Sequence, residues 1–490
     1  SNKKKNILYL LMSDFREDTR DHIGGTQFHV KDLVSGLKED YNIFVAARDG
    51  NYLRVTAYID NSHVSLQFYI GEAPKYNLFR DERQREIYQN LLLAFQIDLV
   101  HIQHTRGLSL DLFYLAKDNG IPLLFTVNDF YYICPILKAI DLRGQSCIDS
   151  DRKEPCGECL EKEKSIYANL SYIAKWRREH EKVLELCNMV IAPSKSAAHI
   201  LTKYYPAIQD KMRILPHGTD MKLVEENNIG MDREEKKSLK VAFIGGINDI
   251  KGGKIISEMI KEDSPHMDWH IFGGIGYPDL QHLEKNNLAK TGWYIRDELS
   301  SLLKKNRIDI VCILSLVPET FCYTLSEALL CKIPVIVTDV GALGERVNQM
   351  ECGWIVPKES MAQDILKLLE NIRTSPQEYM EKYRKVQMLK VKSVQDMCLE
   401  YQKLYNEIIK ETRLKQEFNS EIILEGYING NPAQYQGMAR NADTFADLQK
   451  AQLELTELKR TLSYQIINKM REIRFPLKKQ IKRMVIKIKK

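Results

Sequence analysis

The feature that most constrains this chain is a pattern of short, continuous apolar runs that alternate with helical segments and that starts twice. The first run, Ile7 to Met12, is followed by the glycine pair Gly24-Gly25, and a later run, Val241 to Ile244, ends directly in Gly245-Gly246. Continuous apolar runs are typical of parallel strands that are covered on both faces. Their alternation with helices predicts α/β domains with right-handed crossovers.

The 490 residues are too many for one compact core, so the two series of runs predict two domains. We place a first Rossmann-like domain at 1–220 and a second at 221–415, followed by a linker at 416–446 and a helical tail at 447–490. The further runs are Asn42 to Ala47, Leu99 to Ile102, Leu123 to Val127, Met189 to Ala192 and Ile214-Leu215 in the first domain, and His270 to Phe272, Asp309 to Leu314, Pro334 to Thr338 and Trp354 to Val356 in the second.

Parallel sheets bind ligands at the carboxyl ends of their strands. The glycine pairs Gly24-Gly25, Gly245-Gly246 and Gly273-Gly274 all lie at or after such ends. We therefore expect the two parallel-sheet domains to face each other across one cleft.

The charge of the chain is uneven. Lysine and arginine exceed aspartate and glutamate by 71 − 66 = +5, whereas the segment from Lys469 onward holds ten bases and one acid, 10 − 1 = +9. The rest is thus mildly acidic, 5 − 9 = −4, and the total of +5 is too small to imply a nucleic-acid binder. The run Ile7 to Met12 is too short for a signal peptide and no apolar run would span a membrane. These features predict a cytoplasmic protein, whose ten cysteines lie in a reducing compartment.

One segment, Pro318 to Leu329, carries the strongest chemical signal. It follows a buried run, and its second half should open a helix at Thr324-Leu325, where N–H groups and the helix dipole favour a phosphate. Glu319 precedes that helix and Glu327 lies inside it, and carboxylates are strong acceptors for the paired hydroxyls of ribose or sugar. On spacing alone, a surface acid and a helix acid without a ligand are the favoured interpretation.

These residues resemble a known family, the retaining nucleotide-sugar glycosyltransferases of the GT-B fold. The resemblance lies in the E-x7-E spacing of Glu319 and Glu327 and extends from Ile7 to about Tyr405. Its other parts are Ala328, Gly24-Gly25-Thr26, Val100 to His104, Ala192-Pro193-Ser194, Pro216 to Asp220, Phe243 to Gly252, Pro334-Val335 and Gly341 to Glu345.

The resemblance implies a role for each site residue. Glu327 would bind the ribose hydroxyls, Glu319 would contact the transferred sugar near its reacting carbon, and Lys251 would neutralise the diphosphate. The N–H groups of Thr324 and Leu325 would help to stabilise the negative charge that develops on the leaving group. The remaining positions implied for donor binding are Gly25, Gly245, Gly246, Gly273 and Phe321. Enzymes of this family typically need no metal ion.

Three positions depart from the family pattern. Gly246 stands where the family often has an arginine, so that one cation for the diphosphate is absent there or comes from elsewhere. Asn128 stands where a histidine is usual and would take over its contact with the donor sugar, forming hydrogen bonds but carrying no charge. Cys322 replaces a usual glycine. The first two departures bear on the identity of the donor more than on the fold.

An insertion at 134–160 holds four cysteines, Cys134, Cys147, Cys156 and Cys159. Four thiolates could hold a structural zinc ion. Only one close Cys-x-x-Cys pair is present, so reduced thiols without a metal are the preferred interpretation.

The end of the chain predicts partners. The leucines Leu448, Leu455 and Leu462 recur every seven residues, with Ala451 and Leu458 between them. This spacing fits either a dimerising helix or an amphipathic helix that packs on its own domain. The basic residues after Lys469 alternate with apolar ones, as in a helix on an anionic membrane surface, where each base contributes about 1 kcal/mol. The alternatives are nucleic-acid binding, for which Phe475 is the only interleaved aromatic residue of the tail, and a disordered solubilising arm.

The sequence thus predicts a retaining, metal-independent glycosyltransferase that moves a sugar from a UDP- or GDP-linked donor to a glycan acceptor. A lipid-linked acceptor in bacterial surface-polysaccharide synthesis (capsule or O-antigen), at the inner face of the membrane, would agree with the basic tail. Two alternatives stay open: a phosphorylase- or epimerase-like enzyme of the same fold, and a partner subunit without turnover.

Overall fold

The computed structural model describes residues 4–15, 24–59, 62–73, 79–137, 147–148, 156, 159, 170–224, 238–262, 265–409, 414 and 416–430. The strands are Lys5–Leu11 (β1), Tyr41–Asp49 (β2), Tyr52–Ile59 (β3), Ser62–Tyr69 (β4), Leu99–Ile102 (β5), Leu123–Thr126 (β6), Met189–Ala192 (β7), Met212–Ile214 (β8), Leu239–Ile244 (β9), Met267–Phe272 (β10), Leu288–Gly292 (β11), Ile310–Ile313 (β12), Val335–Thr338 (β13) and Gly353–Val356 (β14).

The α-helices are Gly25–Leu37 (α1), Glu82–Ala94 (α2), Asp111–Asp118 (α3), Leu170–Leu186 (α4), Lys195–Tyr204 (α5), Gly253–Lys261 (α6), Pro278–His282 (α7), Leu299–Lys305 (α8), Tyr323–Leu330 (α9), Gly341–Met350 (α10), Ala362–Thr374 (α11), Pro376–Met388 (α12), Val394–Ile408 (α13) and Ser420–Gly430 (α14). Short 3₁₀ turns lie at Pro206–Lys211, Asp249–Lys251 and Arg296–Glu298. None of the helices in the described ranges is long and apolar enough to cross a membrane.

The first sheet has eight strands in the order β4-β3-β2-β1-β5-β6-β7-β8. Strands β2, β1, β5 and β6 pair in parallel, as the continuous apolar runs predict, and the side chains of β1 after Asn6 are almost completely buried. Helices therefore cover this part of the sheet on both faces, which is the condition under which a strand can be apolar at every position.

Strands β3 and β4 are antiparallel, and the continuous apolar runs do not predict them. In β3, polar residues such as Arg54 alternate in part with buried ones such as Leu53 and Val55, so no continuous run exists. The signal that would have found the β2–β3 hairpin is the turn Asp49-Gly50-Asn51, in which Gly50 has a φ of 57°.

The second sheet has six strands in the order β11-β10-β9-β12-β13-β14, and each of its neighbouring pairs is parallel. One apolar cluster on this sheet includes Val241, Trp269 and Ile336. A second cluster includes Ala242, Leu325 and Val335. Because neighbouring residues of one strand point into different clusters, both faces of the sheet are covered. Two α/β domains built on mainly parallel sheets are thus confirmed.

The described residues divide into two compact units that do not coincide with the predicted boundary near residue 220. One unit takes its residues from 1–126, 181–190 and 398–490, and the other takes them from 127–180 and 191–397. The domain limits 1–220 and 221–415 and the cleft stay predictions.

A helix lies inside the segment that the sequence pattern predicts to be a linker. Helix α14 packs on the edge strand β4, where Gly426 faces the ring of Phe68 and Gly430 lies against the main chain of Ser65. Ile422 and Ile423 are both 5% exposed, so an apolar face, which the polar average of the segment conceals, drives the packing. The helix covers an edge that would otherwise be open to pairing. The remaining linker, the heptad stripe and the basic tail lie outside the described residues.

Candidate active site

Lys251 lies in the turn that connects β9 to α6. The side chain of Asn248 accepts a hydrogen bond from the Lys251 N–H at 3.1 Å and so caps the 3₁₀ turn Asp249–Lys251. Gly252 follows with a φ of 78°, and a Cβ there would lie 2.3 Å from the carbonyl oxygen of Leu314. Only glycine fits this left-handed, crowded position. The turn therefore holds Lys251 against the segment that follows β12.

Glu319 lies in that neighbouring segment and forms an ion pair with Lys251. The Lys251 Nζ is 2.6 Å from Glu319 Oε1, with 35% of the lysine side chain and 13% of the glutamate side chain exposed. Ser315 Oγ donates a second hydrogen bond to the same oxygen at 2.5 Å. The two segments meet because β12 pairs directly with β9.

The electrostatics of this pair keep both groups charged. Burial disfavours the charged form of each, but the Glu319 carboxylate outweighs burial and raises the pKa of Lys251 above its ordinary value. Burial likewise opposes ionisation of Glu319, and Lys251 together with hydrogen bonds such as that from Ser315 lowers the Glu319 pKa. The pair thus offers a cation and an anion at one point of the surface at neutral pH.

Helix α9 begins next to this pair. Cys322 precedes it with a φ of 69° and a ψ of 91°, and the Cys322 thiol lies 3.0 Å from the hydroxyl of Thr324. Burial raises the pKa of this thiol to about 12, so it stays neutral. The ring of Phe321 is 3% exposed and packs edge-on against His217, with the centroids 4.9 Å apart. Leu325 is fully buried, so that the first turn of α9 is firmly anchored.

The glycines at the ends of β9 and β10 lie beside this turn. A Cβ on Gly245 would approach Thr324 Cγ2 to 2.9 Å, and a Cβ on Gly273, whose φ is 131°, would lie 2.0 Å from the Gly245 carbonyl oxygen. Two main chains therefore touch at the carboxyl end of the sheet, which a larger residue at 273 would prevent. The structure thus brings Gly245, Gly273 and Thr324 together.

Glu327 lies inside α9 and pairs with an arginine that the sequence did not single out. Arg296 Nε donates to Glu327 Oε1 at 3.0 Å, and only 11% and 7% of the two side chains are exposed. Burial raises the pKa of Glu327, and Arg296 offsets only part of that effect. The guanidinium also lies 5.1 Å from the ring centroid of Tyr323. The arrangement fixes a carboxylate, an acceptor for hydroxyl groups, one turn into the helix.

Gly246 and Trp293 are neighbours. A Cβ at Gly246 would lie 3.5 Å from the indole of Trp293, and one at Gly274 would lie 2.1 Å from it. The indole nevertheless remains 52% exposed. A flat aromatic surface thus lies over the glycines that end β9 and β10.

Asn128 is connected to the Glu319 loop through its main chain. Its carbonyl oxygen accepts a hydrogen bond from Thr320 Oγ1 at 2.7 Å. Glu345, in the predicted Gly341 to Glu345 signature, accepts from the N–H groups of Lys195 and Ser196 at 3.0 and 2.7 Å and caps α5. Gly25 begins α1 in the other unit, so its part in donor binding stays a prediction.

The four cysteines of the insertion do not form a metal cluster in the structure. No group of three or more histidine, cysteine, aspartate or glutamate residues in the described ranges is placed to hold a metal ion. Cys134, Cys147, Cys156 and Cys159 are each partly exposed. Most of the residues around them lie outside the described ranges.

Sequence reasoning missed three residues that position the site: Asn248, Arg296 and Ser315. Asn248 and Ser315 had a signal, since Ser315 directly follows the apolar run that ends at Leu314, Asn248 lies in the loop after β9, and both side chains can form hydrogen bonds to nearby groups. Arg296 had no signal, because its partner is distant in the sequence.

Two family models match the chain. The model described as Glycosyltransferase Family 4 matches residues 23–223, and the model described as Glycosyl transferases group 1 matches residues 226–387. The curated D-inositol 3-phosphate glycosyltransferase of Paenarthrobacter aurescens (strain TC1) is 26% identical over 199 residues. That match covers 37% of this chain and 48%, about half, of the length of the relative.

Solved structures agree with the fold. The structure of Anabaena Alr3699/HepE in complex with UDP is 12% identical, with a TM-score of 0.56, over 82% of this chain and 100% of the other. The lipopolysaccharide outer core galactosyltransferase WaaB in its apo form is 11% identical, with a TM-score of 0.51, over 82% and 100% of the two chains. At these identities the likeness establishes the fold and not the substrate.

Proposed function

We propose that this chain, a glycosyltransferase of the GT-B fold, transfers a sugar with retention from a nucleoside diphosphate sugar to a glycan acceptor, and that the loops after β9 and β12 with helix α9 bind the donor. The observation that carries the proposal is the ion pair between Lys251 and Glu319, 2.6 Å apart at the carboxyl edge of the second sheet and beside the start of α9. A charged pair with a partly exposed lysine is suited to a ligand with both a negative and a hydroxyl-bearing part.

The diphosphate would lie at Lys251 and the first turn of α9. When the bond between the anomeric carbon and the phosphate oxygen breaks, negative charge develops on the leaving diphosphate. A fixed ammonium group and the N–H groups at Thr324 and Leu325 would stabilise that charge, an effect that typically contributes about 2.7 to 4 kcal/mol for each donor. Lys251 is 35% exposed and so can exchange part of its contact with Glu319 for the phosphate.

The nucleoside would lie toward Glu327 and Trp293. Glu327 is held by Arg296 through one oxygen, Oε1, and its carboxylate would accept hydrogen bonds from the ribose hydroxyls. The exposed indole of Trp293 offers a stacking surface for the base. The similar HepE structure contains UDP, which makes a uridine nucleotide the first candidate.

The transferred sugar would contact Glu319 and Asn128. The Asn128 main chain is connected to the Glu319 loop through Thr320. For the acceptor, the basic residues after Lys469 favour a lipid-linked glycan at an anionic membrane surface, in surface-polysaccharide synthesis. WaaB, a lipopolysaccharide galactosyltransferase, has the same fold.

Calorimetric titration of UDP, GDP and their sugar conjugates tests the proposal. We expect one of these nucleotides to bind, and Glu327→Ala and Lys251→Ala each to weaken binding by more than about 1.4 kcal/mol, a tenfold change. The matched controls are Lys254→Ala and Glu258→Ala, which break an exposed ion pair of α6 and should leave binding unchanged. If the folded native protein binds no nucleotide, the site assignment is wrong.

Turnover then separates the remaining functions. Transfer of the sugar to a glycan acceptor would identify a glycosyltransferase. A requirement for free phosphate, or product without an acceptor, would identify a phosphorylase- or epimerase-like enzyme. Binding without any turnover would identify a partner subunit.

A further inference from the structure

Arg346 is a cation that the functions assigned above do not use. It lies on α10 and donates from Nη1 to the carbonyl oxygens of Phe321 and Cys322 at 2.8 and 3.0 Å. Its Nη2 donates to Ser326 Oγ at 2.7 Å, and its Cζ lies 4.0 Å from the ring centroid of Phe321. One side chain thus binds the last residues before α9 and the helix itself.

All of these acceptors are neutral. Among the described residues, no carboxylate lies within ion-pair distance of Arg346, and the neighbouring Glu345 is bound to the main chain of α5. Burial lowers the pKa of Arg346 to about 10, so it remains charged at neutral pH. The Glu345 carboxylate stabilises this charge only from beyond ion-pair distance, and an anion that binds nearby would add to that stabilisation.

The main chain that Arg346 holds is strained. Cys322 has a φ of 69°, in a region that side chains other than glycine seldom adopt and that costs on the order of 1 to 3 kcal/mol. Arg346 donates to the carbonyl of the Phe321–Cys322 peptide unit and to that of the Cys322–Tyr323 peptide unit. It therefore binds both peptide units that flank the Cys322 Cα. These contacts fix the orientation of both peptide planes.

The same contacts polarise the peptide units. A carbonyl that accepts from a charged donor makes the N–H of its own peptide unit a stronger donor. The N–H groups concerned are those of Cys322 and Tyr323, at the positive end of α9. Their donor strength increases at the place where an anion would bind.

We propose that Arg346 is a positioning residue for the diphosphate: it holds the strained Phe321–Cys322 main chain and supplies, through the peptide groups, positive charge to the start of α9. The inference rests on the proposed donor site. It assigns this role to an arginine that reaches the loop from a different helix and does not itself touch the ligand.

Four variants test the proposal: Arg346→Met, Arg346→Lys, Cys322→Gly and the double variant of Arg346→Met with Cys322→Gly. Binding of UDP and GDP, and of uridine and guanosine, is measured by calorimetry on the full chain. We expect Arg346→Met to weaken binding of the nucleoside diphosphate at least tenfold and to leave nucleoside binding within twofold. Arg346→Lys keeps the charge but not the forked geometry of the guanidinium. Its affinity for the nucleoside diphosphate should therefore lie between those of the native chain and of Arg346→Met.

Cys322→Gly provides the rescue. Glycine adopts a positive φ without strain. In the Arg346→Met background, Cys322→Gly should therefore raise the affinity for the nucleoside diphosphate at least threefold. Arg384→Met, exposed on α12, is the matched control and should bind like the native chain. If Arg346→Met does not fold, the Lys and double variants carry the test.

The possible failures are distinguishable. Equal weakening of nucleoside and diphosphate, or no rescue by glycine, would show a merely structural arginine and overturn the inference. A folded Arg346→Met or Arg346→Lys variant that binds the diphosphate as tightly as the native chain would overturn it while the proposed donor site stands. Absence of nucleotide binding by the native chain would overturn both.

Discussion

The two units of this protein each hold a group of polar side chains, and the two groups differ in charge and exposure. In the first unit, a hydrogen-bonded network connects the Tyr9 and Tyr405 hydroxyls at 2.9 Å and the Tyr405 hydroxyl and His101 Nδ1 at 2.8 Å. His101 Nε2 continues it to Thr126 Oγ1 at 2.7 Å. In the second unit, the polar groups are the ion pairs of Lys251 and Glu327.

The network of the first unit is built from uncharged groups in the core. Tyr9, His101 and Tyr405 have no exposed surface. Burial lowers the pKa of His101 well below its ordinary value and raises those of both tyrosines, so all three stay neutral. A buried network whose groups satisfy one another specifies packing, and here it connects α13 to β1 and β5.

The second group is charged, and its Lys251 reaches the surface. Lys251 is 35% exposed, and it lies in a turn held by a glycine rather than in a strand. The difference teaches that buried polarity alone does not mark a functional site. Charged groups at strand ends, with access to solvent, are the ones expected to bind a ligand.

The largest effect should come from Glu319→Gln. Glutamine keeps the shape of the side chain but loses the charge that faces Lys251 and the hydroxyl-accepting strength near the sugar. We expect turnover of the bound donor to fall about 100- to 1,000-fold. Steady-state kinetics with the nucleotide sugar identified by calorimetry measures it.

The control for that prediction is stability. Because Lys251 is 35% exposed and can be solvated, thermal unfolding of Glu319→Gln should shift little, by less than about 1 kcal/mol in the free energy of unfolding. Glu258→Gln, an exposed glutamate of α6, should change neither quantity. If turnover by Glu319→Gln stays within threefold of the native value, Glu319 takes no part in the reaction.

A middle-sized effect should appear as acid sensitivity of the first unit. Burial lowers the pKa of His29 to about 3, and that of His101 well below 6.5. Below pH 6.5 the unfolded chain binds protons that the native one does not, so the free energy of unfolding falls as pH drops. The slope is about 1.4 kcal/mol per pH unit for each histidine.

Urea unfolding followed by circular dichroism at pH 7, 6 and 5 measures this slope. His29→Gln should make this slope shallower by about 1.4 kcal/mol per pH unit, the contribution of one histidine. The lowered pKa of Glu319 acts in a separate window, because its contribution is lost only as pH falls below its ordinary value of 4.5. An unchanged slope in His29→Gln would mean that this histidine does not titrate as its burial implies.

The smallest effect should come from an exposed ion pair of the first unit. Arg83 donates to both carboxylate oxygens of Glu425 at 2.9 and 3.0 Å and so fastens α14 to α2, but 36% and 43% of the two side chains are exposed. Arg83→Met should lower the free energy of unfolding by no more than about 1 kcal/mol, and less in high salt. Thermal unfolding at two salt concentrations measures this. A larger loss that salt does not change would mean that packing of α14, rather than charge, was broken.

Much of the fold follows from local patterns in the sequence. The runs that became β1, β5, β9 and β12 were visible because strands buried on both faces are apolar throughout. The antiparallel β3 and β4 and the helix α14 were missed, because alternating or short apolar faces are weak signals next to polar turns. Glu319, Lys251 and Glu327 were predicted through a resemblance, whereas their partners Ser315 and Arg296 were not.

The sequence by itself determined that two series of α/β units exist, that a glycine pair follows each leading strand, and that a helix with a carboxylate before it and one within it follows β12. Only the tertiary structure decided which groups meet. Lys251 reaches Glu319 because β12 inserts beside β9 in the sheet, although β10 and β11 lie between them in the chain. Arg346 reaches Cys322 from a separate helix for a similar reason. Local periodicity records which face of an element is apolar, but the pairing of charges depends on the order of strands, which no local pattern contains.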